Sequence, residues 1–289
     1  MKSMSRRNFV EVAGATAAAV ALAGCSSDSD STDTGSTEEE AAEETEETTE
    51  EEASYELMED GVLTVATSPD FPPFENLDDD GNYIGFDIEV MEAVGEQMGL
   101  EVEFTTIQFD GIIAAIAAGG QADCAISGIT VTSEREEEVD FTDSYYVDDQ
   151  CVIAMQDNTD VTEDTYADAL NQEDVIIAVQ SGTTGESWAG ENFPDATIQS
   201  YGNATDCFAA MQAGQADAVV TNLTVGESML DAYEDAQIVG MSATGEEYAI
   251  AVSQDNPELT EALNEALATL EEDGTIDALA AEWMSEASE

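Results

Sequence analysis

The chain has 289 residues, 43% of them hydrophobic, which is enough for one large core or two of moderate size. It carries 67 aspartates and glutamates against four lysines and arginines and no histidine, a formal net charge of −63 at pH 7. That balance argues against a nucleic-acid partner, whose binding runs on basic contacts to phosphates, and against a zinc site, since no CxxC pair stands in for the missing histidines.

Self-repulsion on this scale opposes folding at low ionic strength. At about 1 M salt the Debye length falls to ~3 Å and the repulsion largely disappears. The composition therefore implies a halophile's protein, working in concentrated salt.

At the start of the chain, Ser5-Arg6-Arg7-Asn8-Phe9-Val10 precedes an alanine-rich apolar run from Val12 to Ala23. The run is too short and too weakly hydrophobic for a comfortable membrane span and reads as a twin-arginine export signal over residues 1–24. Leu22-Ala23-Gly24-Cys25 resembles a lipobox, in which Cys25 becomes the lipid-bearing N-terminus after cleavage. Cleavage removes Lys2, Arg6, Arg7 and Glu11, leaving 66 acids against one base and a net charge of −65. Residues 25–54 are almost all Ser, Thr, Asp, Glu and Ala, and read as a disordered acidic tether. The expected location is the outer face of the cytoplasmic membrane, held by lipid on Cys25. Cys124, Cys151 and Cys207 remain, an odd number expected to be buried free thiols. No cofactor and no metal is expected.

Val62 to Thr67 has strand length and apolar character and is stopped by Ser68-Pro69 and Pro72-Pro73. Asp87 is placed to cap a helix carrying Ile88, Met91, Val94 and Met98 and closed by Gly99. Val102 and Phe104 alternate as in a strand, Ile112, Ile113 and Ile116 mark a helix, and Cys124 to Ile126 form the next strand. Farther on, Val175 to Val179 reads as a buried strand, and Gln180 to Gly185 as a glycine-rich turn into the segment around Trp188. Backbone N–H groups of such a turn, with the Thr183 and Thr184 hydroxyls, suit a carboxylate or phosphate. Asn256-Pro257 opens a helix with Leu259, Leu263, Leu267 and Leu270, all core, and a second follows with Ile276, Leu279 and Trp283. Alternating strands and helices predict a layered α/β fold with largely parallel sheets.

Two internal patterns point to a site. Ala114 to Thr130 (AAIAAGGQADCAISGIT) is echoed by Ala209 to Thr224 (AAMQAGQADAVVTNLT), a repeat expected of two similar lobes. Each copy ends in a polar tetrad, Ser127 to Thr130 and Thr221 to Thr224, which would face each other beyond the carboxyl ends of strands. Arg135 lies just past the first tetrad and is the only basic residue after position 7. Its planar fork meets a carboxylate with two parallel hydrogen bonds, and an ion pair with Glu134 or Glu136 to Glu138 is the alternative.

Taken together, Phe71-Pro72-Pro73-Phe74-Glu75, Gly85-Phe86-Asp87-Ile88, Phe109-Asp110-Gly111, Ser127 to Arg135, Asp140 to Tyr146, Val179 to Gly185, Asn256 to Leu259 and Asp273-Gly274-Thr275 resemble the family 3 solute-binding proteins, receptors of polar amino-acid ABC importers. The resemblance covers about Leu63 to Met284. It implies a two-lobed periplasmic-binding-protein-like fold of type II. Lobe 1 would span 55–144 and 248–289, lobe 2 would span 149–243, and the hinges would lie at 145–148 and 244–247.

It further implies that Arg135 grips a ligand α-carboxylate with Thr130 and the backbone of Gly128 and Thr184. Phe71 and Phe109 would wall the ligand side chain, and Ser127 would lie near the α-amino group. Asn222 stands where the family has an ammonium-binding aspartate, so another acid such as Asp70 is needed, or the ligand is not an ordinary α-amino acid. A second ligand carboxylate would lack a compensating cation, which favours a neutral polar or cationic amino acid. The expected partners are that ligand, an ABC permease and the membrane, with the chain itself monomeric. A signalling receptor of the same fold, or one for a non-amino-acid carboxylate, remains the alternative; an enzyme is not expected, there being no nucleophile–base pair at useful spacing.

Overall fold

The computed structural model describes residues 55–286; the segments expected to be export signal and tether, with Cys25, lie outside the described residues. Strand β1 (Val62–Thr67) buries Leu63, Val65 and Ala66 completely. The chain then turns through Phe71–Phe74, makes the small hairpin β2 (Asn76–Leu77) and β3 (Tyr83–Ile84), and enters helix α1 (Phe86–Met98). Asp87 does not cap this helix as expected. Gly85 starts it, with φ 131, at a point where any Cβ would lie 2.1 Å from the Phe74 carbonyl oxygen. That close approach turns the first turn inward, and the Asp87 carboxylate accepts the Gly128 N–H (2.8 Å) and the Tyr145 hydroxyl (2.9 Å) instead.

Strand β4 (Glu101–Thr106), helix α2 (Phe109–Ala118), strand β5 (Cys124–Ala125), a 3-10 turn at Arg135–Glu137 and strand β6 (Val139–Phe141) follow. The chain crosses over as β7 (Tyr146–Met155) and builds α3 (Tyr166–Leu170), β8 (Ile176–Gln180), α4 (Thr184–Asn192), β9 (Thr197–Tyr201), α5 (Ala204–Gln212), β10 (Ala218–Asn222) and α6 (Leu223–Leu230). It returns along β11 (Ala236–Tyr248) to β12 (Ala251–Ser253), α7 (Pro257–Glu272) and α8 (Thr275–Glu286).

The first sheet has the order β4-β1-β5-β12-β6 and the second β11-β7-β10-β8-β9. Both are mixed, with one reversed strand in each: β1 with β4 and β5, and β8 with β9 and β10, pair parallel, whereas β12 and β7 are antiparallel to both of their neighbours and the remaining strands of each sheet run the same way. The reversed strands, β7 and β12, are the first that the chain lays down on entering the second lobe and on returning to the first.

The internal repeat is the same fastening used twice. In the first lobe Asp123 donates its N–H to the Thr64 carbonyl (2.8 Å) and accepts the Thr64 N–H on its carboxylate (2.8 Å). In the second, Asp217 does the same to Ile176, at 2.8 Å in both directions. Each aspartate ties its helix–turn to the start of a neighbouring parallel strand and so sets the register Val65↔Cys124 and Ile177↔Ala218. The strand ends that follow are thereby aimed at equivalent places.

Where the lobes join, Phe74 lies edge-on to Tyr146 and Tyr248, with ring centroids 5.2 and 5.3 Å apart, clamping the two crossing strands to lobe 1. Such pairs add ~1 kcal/mol each beyond their burial. Leu259, Leu263, Leu267 and Leu270 are buried, as their spacing implied. Cys124, Cys151 and Cys207 are buried free thiols, with burial pushing the Cys207 thiol up to about 12.

Candidate functional site

The carboxyl ends of β1, β5, β8 and β10 all open onto one gap between the lobes, and every expected site residue lies on or just past one of them, or at the start of α2. Arg135 spans this gap. Its Nη1 donates to the Thr130 carbonyl in lobe 1 (2.7 Å) and its Nη2 to the Gly182 carbonyl in the turn of lobe 2 (3.0 Å), and its Cζ lies 5.5 Å over the Phe109 ring. The alternative of a surface pair with its acidic neighbours is not what the side chain does. Burial lowers the guanidinium's pKa, while the negative charge of Glu246 works the other way. A cleft of about 610 Å³ opens beside it, lined by Phe109, Thr184, Trp188 and Glu246 among others.

The lobes meet directly. Gly182, at φ +78, sits so close to lobe 1 that a Cβ would come within 2.9 Å of the Asp110 Cα. Asp70 of lobe 1 accepts the Ala204 N–H at the start of α5 (2.9 Å), a position that Asn203 leaves uncapped, and receives Gln180 Nε2 at 3.4 Å.

Thr130 pairs with Tyr248 in an isolated antiparallel bridge. The bonds Ala249 N–H to Ile129 (3.1 Å) and Val131 N–H to Glu247 (2.8 Å) flank that pair, so the N–H and C=O of Thr130 itself point away from Tyr248. The carbonyl takes Arg135 and the hydroxyl donates to Glu246 Oε2 (2.8 Å). Across the gap, the Thr184 hydroxyl donates to the same oxygen (2.6 Å), and Thr184 is the first residue of α4, whose N-terminal N–H groups face anions favourably. Thr183 is committed to the helix cap: its hydroxyl accepts the Glu186 N–H (3.1 Å) and donates to the Gln180 carbonyl (2.8 Å). Asn222 ends β10 and points its amide at Glu246 Oε2 (3.3 Å).

Ser127 and Gly128 depart from expectation. The Ser127 hydroxyl donates to Glu75 Oε1 (2.6 Å) beneath the loop, and the Gly128 N–H goes to Asp87, so both shape the loop rather than offering donors to the gap. Gly128, at φ +53, is needed because the Phe71 ring lies where its Cβ would be, 3.0 Å away. Phe71 itself is buried and stacked on Phe74 at 5.9 Å.

Under this loop Glu75 and Asp87 form a fully buried carboxyl pair. Burial and the Asp87 charge push Glu75 well above the usual carboxylate range, while its hydrogen bond from Ser127 works the other way. Glu75 Oε2 and Asp87 Oδ1 are the buried oxygens of the pair that receive no hydrogen bond. Burial also raises Asp70 and Asp148 to about 6. Each of these acids binds its proton more tightly folded than unfolded, where carboxyls titrate near 4. Their contribution is therefore fully present below about pH 4 and is lost as pH rises through about 6. In molar KCl the melting temperature should rise by roughly 5 °C between pH 7.5 and 5; a flat or falling profile in a calorimetric scan would contradict this.

Sequence reasoning missed Glu246, and with it Gln150, whose amide donates to Glu246 Oε1 (2.8 Å) from β7. No local motif marks either residue.

A two-lobed α/β chain with crossing strands, whose polar strand ends and a bridging arginine converge in the gap, defines a ligand-trapping binding protein. Residues 63–286 match the bacterial extracellular solute-binding proteins, family 3, and the chain belongs to that family, one of binding proteins rather than enzymes. It is 30% identical over 226 residues to the ABC transporter arginine-binding protein 1 of Escherichia coli, covering 76% of this chain and 90% of that one. Among solved structures it resembles an ancestral arginine-binding protein bound to glutamine, at 34% identity and a TM-score of 0.72 over 77% of this chain and 97% of that one. An ancestral amino acid-binding protein described as a precursor of cyclohexadienyl dehydratase is similar at 37% identity and a TM-score of 0.71, over 78% and 96%.

Proposed function

We propose that this chain is the extracytoplasmic substrate-binding component of an ABC importer, trapping a polar neutral or cationic amino acid between its lobes and delivering it to a permease. The observation that carries this reading is the Arg135 guanidinium, held between the Thr130 and Gly182 carbonyls at the mouth of α4. The ligand carboxylate docks there, on Arg135, the Thr130 N–H and the N-terminus of α4 at Thr184. Phe109 walls the ligand from below the guanidinium and Phe71 from behind Gly128. Asp70, Asp148 and Glu246 bring acid to the surroundings of the gap, so a second ligand carboxylate would meet repulsion and no cation. The names of the relatives, which bind arginine or glutamine, fit the same preference.

The lobes are proposed to be bounded at 55–144 with 248–289 and at 149–243, flexing at 145–148 and 244–247. Export by a twin-arginine signal, anchoring through lipid on Cys25, a monomeric state and operation in concentrated salt complete the proposal, on the sequence motifs and the charge. Thermal-shift screening of the twenty amino acids in molar KCl tests it. A neutral or cationic amino acid should raise the melting temperature and glutamate and aspartate should not; no shift with any of the twenty would refute the amino-acid reading.

A further inference from the structure

Glu246 lies at the end of β11 just past an irregularity in its pairing with β7, which resumes at Glu246↔Asp148. There its side chain turns into the gap and is only 8% exposed. Its carboxylate accepts hydrogen bonds from Thr130 (2.8 Å), Thr184 (2.6 Å), Asn222 (3.3 Å) and Gln150 (2.8 Å), so that both lobes converge on one acid. Every one of these donors is neutral. They orient the carboxylate and partly replace its hydration, but bring no full positive charge. Arg135, the one base among the described residues, gives its hydrogen bonds to carbonyls instead.

Thr130 stands between the two charges, holding Arg135 with its carbonyl and Glu246 with its hydroxyl. The site thus presents a positive and a negative charge bridged by a single residue and lining one cleft, the pattern of an amino-acid zwitterion in reverse. Asn222 cannot supply the negative charge itself and turns its amide N–H to the acid that can.

We propose that Glu246 receives the α-ammonium of the ligand, with Asn222, Gln150 and Thr184 holding it in place; this rests on the amino-acid reading of the site. The carboxylate then gains a directly hydrogen-bonded counter-charge, where Arg135 acts on it only through space, and ligands lacking a cationic nitrogen beside their carboxylate are rejected.

The test is a coupling measurement by titration calorimetry in molar KCl on the full chain, with L-arginine and L-glutamine and the same two molecules lacking the α-amino group as probes. In the unaltered protein, loss of the amino group should weaken binding about ten- to hundredfold. In Glu246→Gln, which keeps the shape and hydrogen-bonding capacity of the side chain, the same loss should matter by less than about threefold, the difference being the coupling between the two groups. Adding Asn222→Asp to Glu246→Gln should restore part of the preference. Glu246→Gln with unchanged amino-acid affinity, or weakened equally toward both kinds of probe, would overturn the assignment, and so would tighter binding, which would make Glu246 a stand-in for the ligand's own carboxylate. If the unaltered chain binds neither amino acid, the amino-acid reading fails first and this assignment falls with it.

Discussion

Arg135→Ala is expected to abolish amino-acid binding, with no calorimetric signal in molar KCl at concentrations a hundredfold above the wild-type Kd. The side chain contributes three things at once. It carries the only positive charge among the described residues, it forms the wall over Phe109, and it links the Thr130 carbonyl of one lobe to the Gly182 carbonyl of the other. A charge-assisted pair with a carboxylate in a desolvated gap is worth about 1.5–3 kcal/mol, and removing the cation also leaves the incoming anion uncompensated beside Glu246. The melting temperature without ligand should move by only about 2 °C, because the residue starts a single 3-10 turn and is half-buried. Arg135→Lys separates charge from shape. An ammonium keeps the attraction but cannot reach both carbonyls and the ligand in one plane, so an intermediate loss is expected. Wild-type affinity in the alanine variant would remove the carboxylate site from this gap.

The scaffold of this site was readable in the sequence because its signals are local. The apolar run Val62–Thr67, the leucine spacing after Pro257 and the twice-used Gly-Gln-Ala-Asp turn each specify their element within a few residues, and Arg135 stood out by being alone. What escaped depended on distant parts of the chain. Glu246 is one acid among 67, and only the interruption of the β11–β7 ladder and the meeting of four donors from separate segments give it a role. Asp87 has the sequence context of a helix cap, but the Gly128 N–H, 41 residues away, competes for it and wins because both are buried. For the same reason Ser127 and Gly128 look like ligand donors in sequence and prove to be bonded to the carboxyl pair below them. The mixed sheets are equally non-local, since strand direction follows from where the chain re-enters each lobe.

Dilution of salt should have the larger effect on the fold as a whole. With a formal net charge of −63, the chain's self-repulsion is screened over ~3 Å at about 1 M salt but extends over ~30 Å at about 0.01 M, most of the width of a domain. The described helices do nothing to relieve it: α1, α2 and α4 to α8 have no basic residue in their last turn, and α7 ends on Glu271 and Glu272, against its own dipole. The expected result is a melting temperature lower by about 20 °C or more in 10 mM KCl than in molar KCl, read by circular dichroism. Two controls separate charge screening from a general solute effect. Sucrose at matched osmolality should restore little, because it stabilises by exclusion and screens no charge. Exchanging Glu271 and Glu272 for lysine should shift the salt dependence to lower concentration, since each exchange removes a repulsive charge and places a favourable one at the helix end. An unchanged melting temperature on dilution would mean that the acids are not a burden in dilute solution, and the inference of a halophile's protein would go with it.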